Sequence, residues 1–166
     1  AHQHVAETEN ENHAVVSHGK PAPRGVMAVL VPVDGSSCSL RALARAIAIA
    51  KSTRCIVHVI NVQPAYDEYG MVPAYLSKGK HRELMRVRAQ AALEPAIARL
   101  KRVRIRHVAH AVYGDAAEAI ARVARRLRCD SIVMGTRGMG AIGSLLIGSV
   151  ANRVIHLARA PVTLVQ

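Results

Sequence analysis

The residue types best suited to chemistry crowd one segment, Gly135-Thr136-Arg137-Gly138-Met139-Gly140-Ala141-Ile142-Gly143-Ser144-Leu145-Leu146-Ile147-Gly148-Ser149. Glycines in such a run let backbone N–H groups approach an anion with no Cβ in the way, and they tolerate positive φ. Successive amides in turns of this kind form anion-binding concavities. A helix starting near Ser149 would aim its unpaired amides, and the positive end of its dipole, into the same space. Ser149 adds a hydroxyl donor and Arg137 a positive charge, although an exposed loop arginine without a ligand is an equally good reading of Arg137. The chemistry implied is the holding of a phosphate group.

Three phosphate-loop patterns can be laid on these letters. The P-loop pattern G-x4-G-K-[ST] fails, because no Gly-Lys-Ser/Thr occurs. A dinucleotide fingerprint is present literally as Gly138-x-Gly140-x-x-Gly143. Too little chain follows it for a complete βαβ unit, and no acidic residue lies downstream to take a ribose. The spacing G-x2-G-x9-G-[ST] is satisfied by Gly135, Gly138, Gly148 and Ser149.

The elements that must position this loop follow from periodicity. VMAVLVPV, from Val26, is a continuous apolar run ending at Asp34-Gly35-Ser36-Ser37, which predicts a buried strand running into a turn. Leu40, Leu43, Ala44, Ile47 and Ala50 recur at helical spacing, with Ser36 or Ser37 placed to cap the helix. CIVHVINV (55–62) predicts a second strand, followed by a loop broken by Pro64, Gly70 and Pro73. A helix over about 79–101 would turn Leu84, Val87, Ala91, Ile97 and Leu100 inward, with Pro95 kinking or dividing it. A third strand lies in roughly 104–112. Asp115 with Glu118 then resembles a capping box, and Ile120, Val123, Ala124 and Leu127 form the next inner helix face. SIVMG (131–135) is the fourth strand, Ser149 to Leu157 the last helix, and PVTLVQ the fifth strand. Strands alternating with helices pair in parallel, because a parallel crossover needs a helix-sized connection. The fold class expected is a single doubly wound α/β domain, a five-stranded parallel sheet flanked by helices. Such sheets bind ligands at the carboxyl ends of their strands.

Residues 1–24 lack a sustained period and predict a flexible N-terminal extension ahead of the domain at 25–166. His2, His4, His13 and His18 in it could bind a metal, but a solvated His-rich tail explains them better. The chain begins with Ala, compatible with a processed product or a piece of a longer protein. The net charge of +12 invites nucleic acid as a partner. The charge is spread over several segments without aromatic stacking residues, so solvated outer helix faces are the better reading and no specific nucleic acid is expected. Cys38, Cys55 and Cys129 form no C-x-x-C pair and read as buried reduced thiols. No apolar run is long enough to span a bilayer and the N-terminus has no signal-like apolar stretch, so no membrane insertion and a cytoplasmic location are expected. His58 and His156 sit on apolar periodic elements and read as packed or surface histidines; His107 and His110 show no partner.

With its glycine spacing, and with VPVDGSS, VHVINV, SIVMGTRG and the closing LLIGSVANRVIHLARAPVTLV, the chain resembles the universal stress protein family, specifically its ATP-binding branch. The resemblance covers nearly all of residues 26–166. It implies a flavodoxin- or Rossmann-like fold of the adenine nucleotide alpha hydrolase kind, with ATP as cofactor and Mg2+ as its potential companion. By the resemblance, Asp34 is the acidic residue beside ribose and phosphates. A carboxylate there could accept ribose hydroxyls or hold a divalent cation, and it could equally be a turn or cap residue. Pro32 and Val33 line the same edge. Val59 matches the residue whose backbone meets adenine, and Met134 would flank the nucleotide. Gly135, Gly138, Gly148 and Ser149 match the phosphate-binding positions, with Val150 following on the same backbone. The family also suggests a homodimer through PVTLVQ, a terminal apolar strand that would otherwise leave an exposed edge.

The function expected is a nucleotide-dependent stress or signalling module acting through its conformation or dimer state. No metal site and no catalytic set at a convincing spacing is expected, so slow ATP hydrolysis would be incidental. The alternatives are a slow ATP hydrolase of this fold, an adaptor driven by basic charge, and a regulatory domain cut from a larger transporter or signalling protein.

Overall fold

The computed structural model describes residues 16–18, 23, 25–64, 78–138 and 147–166. Its elements are β1 (Val16–His18), β2 (Ala28–Pro32), α1 (Ser37–Thr53), β3 (Ile56–Gln63), α2 (Lys78–Arg102), β4 (His107–Tyr113), α3 (Ala116–Arg126), β5 (Ser131–Gly135), α4 (Ser149–Leu157) and β6 (Val162–Val165). The strands lie in the order β1-β4-β3-β2-β5-β6. Five pair in parallel. Of these, β2 to β5 are buried along nearly their whole length, as strands covered on both faces are, whereas β6 is half-buried with Thr163 exposed. The sixth, β1, is antiparallel to β4, with Val16 opposite Ala111 and His18 opposite Ala109. This strand falls within the stretch expected to be a flexible extension. Three residues at a sheet edge carry no readable period, so nothing in the sequence marks it.

Alternation along the strands builds two cores. Val29 and Val31 face α1 and α2 with Leu43, Leu93 and Leu100. Leu30 and Ile60 face α3 and α4 with Ile120, Ile132 and Val154. Each such side chain contributes roughly 1.5–3 kcal/mol on burial, which lets an aliphatic core do without Phe or Trp. Of the cysteines expected to be buried, Cys55 and Cys129 are, and Cys38 is half-buried.

The helix starts are set by short polar caps. Ser36 Oγ accepts from Ser39 N at 3.1 Å to begin α1, and Asp115 Oδ1 accepts from Glu118 N at 2.9 Å to begin α3. The inward face of α2 differs from the expected one. Leu84 and Val87 are exposed, and the buried stripe is His81, Met85, Ala89, Leu93, Ala96 and Leu100. Size alone does not decide the inner face here: Ala89 and Ala96 are buried beside Met85, Leu93 and Leu100, while Leu84 and Val87 lie outside. The helix also runs undivided through Pro95.

His58 and His110 are both buried, on β3 and β4, and meet with Nδ1 of one 3.0 Å from Nε2 of the other. His110 thus has a partner the sequence does not reveal, while His107 donates from Nδ1 to the Ile105 carbonyl at 2.8 Å. Neither His58 Nε2 nor His110 Nδ1 has a hydrogen-bond partner among the described residues. Two neutral rings share one bond, so whichever ring donates, one donor and one acceptor stay dry. Burial, then the charges of His58 and Arg126, push His110 down to about 3. Burial lowers His58 as well.

These histidines fold neutral and would be protonated in the unfolded chain below about pH 6.5. Their contribution is therefore complete above that pH and is lost progressively as pH falls toward 3. His110 alone should cost about 2 kcal/mol of stability between pH 7 and 5. The double variant His58→Leu/His110→Leu should flatten that loss in urea unfolding at the two pH values. An undiminished loss in the variant would place the acid sensitivity elsewhere.

Candidate functional site

The strand order reverses between β2 and β5, because β3 and β4 extend from one side of β2 while β5 and β6 extend from the other. Their carboxyl ends therefore open a crevice, the place where open α/β sheets take ligands. Asp34 follows β2 at this point, and Gly135 to Gly138 follow β5.

Each side of the crevice is tied down by backbone bonds. Val33 N donates to the Ile60 carbonyl at 2.8 Å. The buried Asn61 donates from Nδ2 to the Val33 carbonyl at 2.7 Å and accepts from Gln63 Nε2 at 2.7 Å. Asp34 Oδ1 accepts from Ser36 N at 3.0 Å, joining the turn to the start of α1. On the other side, Thr136 N donates to the Val165 carbonyl at 2.8 Å, and Gly148 N donates to the Thr136 carbonyl at 2.7 Å. The two ends of the glycine segment are thus pinned together. Asn61 and Thr136 were not among the candidate residues. A polar residue in an otherwise apolar strand signals Asn61, whereas the role of Thr136 arises only when the loop closes.

The glycines have separate reasons to lack a Cβ, and none of Gly135, Gly138 and Gly148 has a positive φ. A Cβ on Gly135 would lie 2.8 Å from Cys38 Cβ and 2.9 Å from the Cys38 carbonyl carbon, so this glycine admits the first turn of α1. A Cβ on Gly138 would lie 2.6 Å from Asp34 Oδ2. One on Gly148 would lie 3.3 Å from the Thr136 oxygen. The left-handed freedom expected of the loop is not what these three positions use; they use space. Gly140 and Gly143 lie outside the described residues.

The remaining candidates divide between crevice and interior. Pro32 and Asp34 are half-buried at the end of β2, and Val33 is buried there. Met134 is buried in β5, while Arg137 and Gly138 are exposed just beyond it. Val59 is fully buried within β3, paired in register with Val31 and Ala109, so its side chain belongs to the core facing α1 and α2. Gly148 caps α4, with exposed Ser149 and Val150 in its first turn. Unlike α1 and α3, α4 has no side chain capping its amino end. Its first intrahelical bond is Asn152 N to the Gly148 carbonyl at 3.0 Å. The amides of Ser149, Val150 and Ala151 are the ones such an end leaves over. Arg153 fixes this helix by pairing with Asp115 at 2.6 Å.

The fold and this crevice define a doubly wound, Rossmann-like α/β domain with a glycine-shaped loop at its switch point. The universal stress protein family model matches residues 25–166, and the chain belongs to that family. A universal stress protein of Methanocaldococcus jannaschii is 34% identical over 138 residues, which cover 83% of this chain and 81% of that protein. UspA of Lactobacillus plantarum shares the fold, with a TM-score of 0.74 at 23% identity over 84% of this chain and 97% of that one. A universal stress protein solved in complex with cAMP has a TM-score of 0.62 and 26% identity, over 84% of this chain and 97% of that one.

Gly135 and Gly138 should respond differently to the same methyl group. Gly135→Ala drives a Cβ into helix backbone and should cost about 1–3 kcal/mol of stability, as overpacking does. Among the described residues, Gly138→Ala meets the end of the Asp34 side chain and no backbone, a contact that a small side-chain rotation relieves, and it should leave the thermal midpoint within a degree or two. Differential scanning calorimetry of both variants checks this; equal losses would contradict the separate roles.

Proposed function

We propose that the crevice binds ATP, and that the protein works as a nucleotide-dependent module whose conformation or dimer state is read by other components. The observation that carries this is the uncapped amino end of α4, pinned by Gly148 to the end of β5 and facing the same crevice as Asp34. Left-over first-turn amides with the positive dipole end suit phosphate. Asp34 would repel a phosphate placed directly against it, so it suits ribose hydroxyls, or a divalent cation such as Mg2+ accompanying the phosphates. Pro32, Val33 and Met134 supply the apolar surroundings proposed for the base. Val59 enters this reading through its backbone alone, because its side chain is buried in the core, and Arg137 is an exposed cation at the rim. The cAMP complex of a relative at 26% identity supports an adenine nucleotide as the ligand class.

Isothermal titration with ATP, ADP, AMP and cAMP tests this reading. ATP should bind, and Gly138→Ala and Asp34→Asn should each weaken it tenfold or more while circular dichroism stays unchanged. Unchanged affinity in both variants, or no adenine nucleotide bound at millimolar concentration, would overturn it. ADP or AMP binding as tightly as ATP would remove the triphosphate preference.

We further propose a homodimer through β6. This strand ends the sheet order and pairs with β5 alone among the described residues. The bonds from Ile132 N to the Pro161 carbonyl and from Thr136 N to the Val165 carbonyl turn alternate residues toward β5. That leaves the backbone of Val162 and Leu164 on the outer edge, where a second copy can pair. Leu164→Pro removes an outward donor without touching an inward one. Sedimentation velocity should show the wild type as a dimer and this variant as a folded monomer; a monomeric wild type would end the proposal.

A further inference from the structure

The helix exits carry a pattern separate from the crevice. α2 ends with Ile105 N bonded to the Leu100 carbonyl and Arg104 N to the Lys101 carbonyl, both at 3.0 Å. α3 ends the same way, Cys129 N to Ala124 at 2.9 Å and Arg128 N to Arg125 at 3.1 Å. α1 ends on the bond from Arg54 N to the Ala50 carbonyl at 2.9 Å. These are helix terminations that place one residue in the left-handed region, where glycine is the usual occupant. Here the occupants are Arg54 at φ 55°, Arg104 at φ 57° and Arg128 at φ 53°. An L side chain is strained there, and all three exits keep it.

Topology collects these residues. Helices of a parallel sheet return to the amino ends of its strands, so Arg104 and Arg106 stand at the entry to β4, Arg54 at β3, Arg128 at β5 and Arg159 at β6. All five are exposed. Five strands at about 4.8 Å spacing make this a row of roughly 19 Å. Arg125, Arg128 and Arg159 also surround one recess of about 190 Å³. None of these arginines is in an ion pair among the described residues; the ion pairs use Arg86 and Arg153. The carboxylate within the row, Asp130, accepts from Ala28 N at 2.7 Å. Basic residues suit helix carboxyl ends through the dipole, but the dipole does not require the left-handed position itself to be arginine.

We propose that this amino edge of the sheet binds the phosphodiester backbone of nucleic acid, without reading its sequence. A row of arginines matches closely spaced phosphates, and a duplex carries one charge per about 1.7 Å of its axis. The segments forming the row, 51–55, 101–106, 125–130 and 157–161, contain no aromatic residue, so base stacking is absent from the contact.

Fluorescence anisotropy with labelled mixed-sequence 20-mers, single-stranded and duplex, between 50 and 200 mM KCl tests this on the full chain. Binding should be indifferent to sequence and fall steeply with salt. The variant Arg54→Gly/Arg104→Gly/Arg128→Gly should lower the slope of log K against log salt by roughly 2 to 3, at about 0.7–0.9 per lost phosphate. It should also raise the melting temperature, because glycine relieves the left-handed strain. The control Arg45→Gln/Arg82→Gln/Arg88→Gln removes equal charge from exposed positions on α1 and α2 and should bind like the wild type. The lower slope coefficient for the single strand separates the two forms of nucleic acid. No binding at 50 mM, equal loss in the control, or displacement by polyglutamate as effective as by unlabelled oligonucleotide would each overturn the proposal, the last in favour of an acidic protein. Calorimetry with ATP on the glycine variant should match the wild type, which keeps this test separate from that of the crevice.

Discussion

The approach of α1 to the end of β5 is the contact on which the carboxyl edge is built. Its first turn leaves no room for a Cβ at position 135. With the helix seated there, Ser36 both starts α1 and donates its amide to Asp34. The other oxygen of Asp34 then occupies the space that a side chain at 138 would need. Two residues separate Gly135 from Gly138, yet one glycine yields to helix backbone and the other to a carboxylate. Gly148 completes the set by yielding to the Thr136 carbonyl, which also takes its amide. The spacing that looks like one motif is three close approaches with three different neighbours.

That difference explains what the sequence could and could not reveal. SIVMG and the last helix were legible because continuous apolar runs and helical spacing are local signals, and Ser131–Gly135 and Ser149–Leu157 form where those signals lie. The face of α2 was not legible from residue size. Its buried stripe mixes His81 and two alanines with Met85, Leu93 and Leu100, while Leu84 and Val87 stay outside. The contact of His58 with His110 joins residues far apart in sequence, and it depends on the register that sets Ile60 opposite His110. No periodicity encodes a register. At the crevice, the glycines and Asp34 were visible by type and spacing, whereas Asn61 and Thr136 act through backbone bonds that exist only once the strands are in order.

Charge shows the same dependence on topology. Along the sequence the arginines look dispersed, and a net charge of +12 then reads as solvated helix faces. In the sheet, every helix exit arrives at the amino ends of the strands and every helix start at the carboxyl ends. The acids that cap or flank the starts, Asp34, Asp115 and Glu118, gather at one edge, and the exit arginines gather at the other. Arg153 also reaches the acidic edge, where it is held by Asp115 and Glu118, and Arg137 lies exposed at the same edge just beyond β5. The dispersed exit arginines therefore gather at one edge, while the other edge mixes Asp34, Asp115 and Glu118 with Arg137, Arg153 and the exposed Lys80 and Arg82.

The two ends would select different anions. At the carboxyl edge the amides of the α4 amino end lie in the same crevice as a carboxylate. Two unit charges 4 Å apart interact by about 4 kcal/mol at an effective dielectric near 20. A phosphate placed against Asp34 itself would meet this repulsion. A ligand that separates its phosphates from hydroxyl donors, as a nucleotide does, can turn the donors toward Asp34 and the charge toward α4. The amino edge offers the reverse: exposed guanidinium groups without directed amides, and a carboxylate already engaged by Ala28. Such an edge favours charge density over shape. Small nucleotides and long phosphodiester chains would thus be sorted by the direction of the helices, which turn dipole and capping acid one way and exit arginine the other.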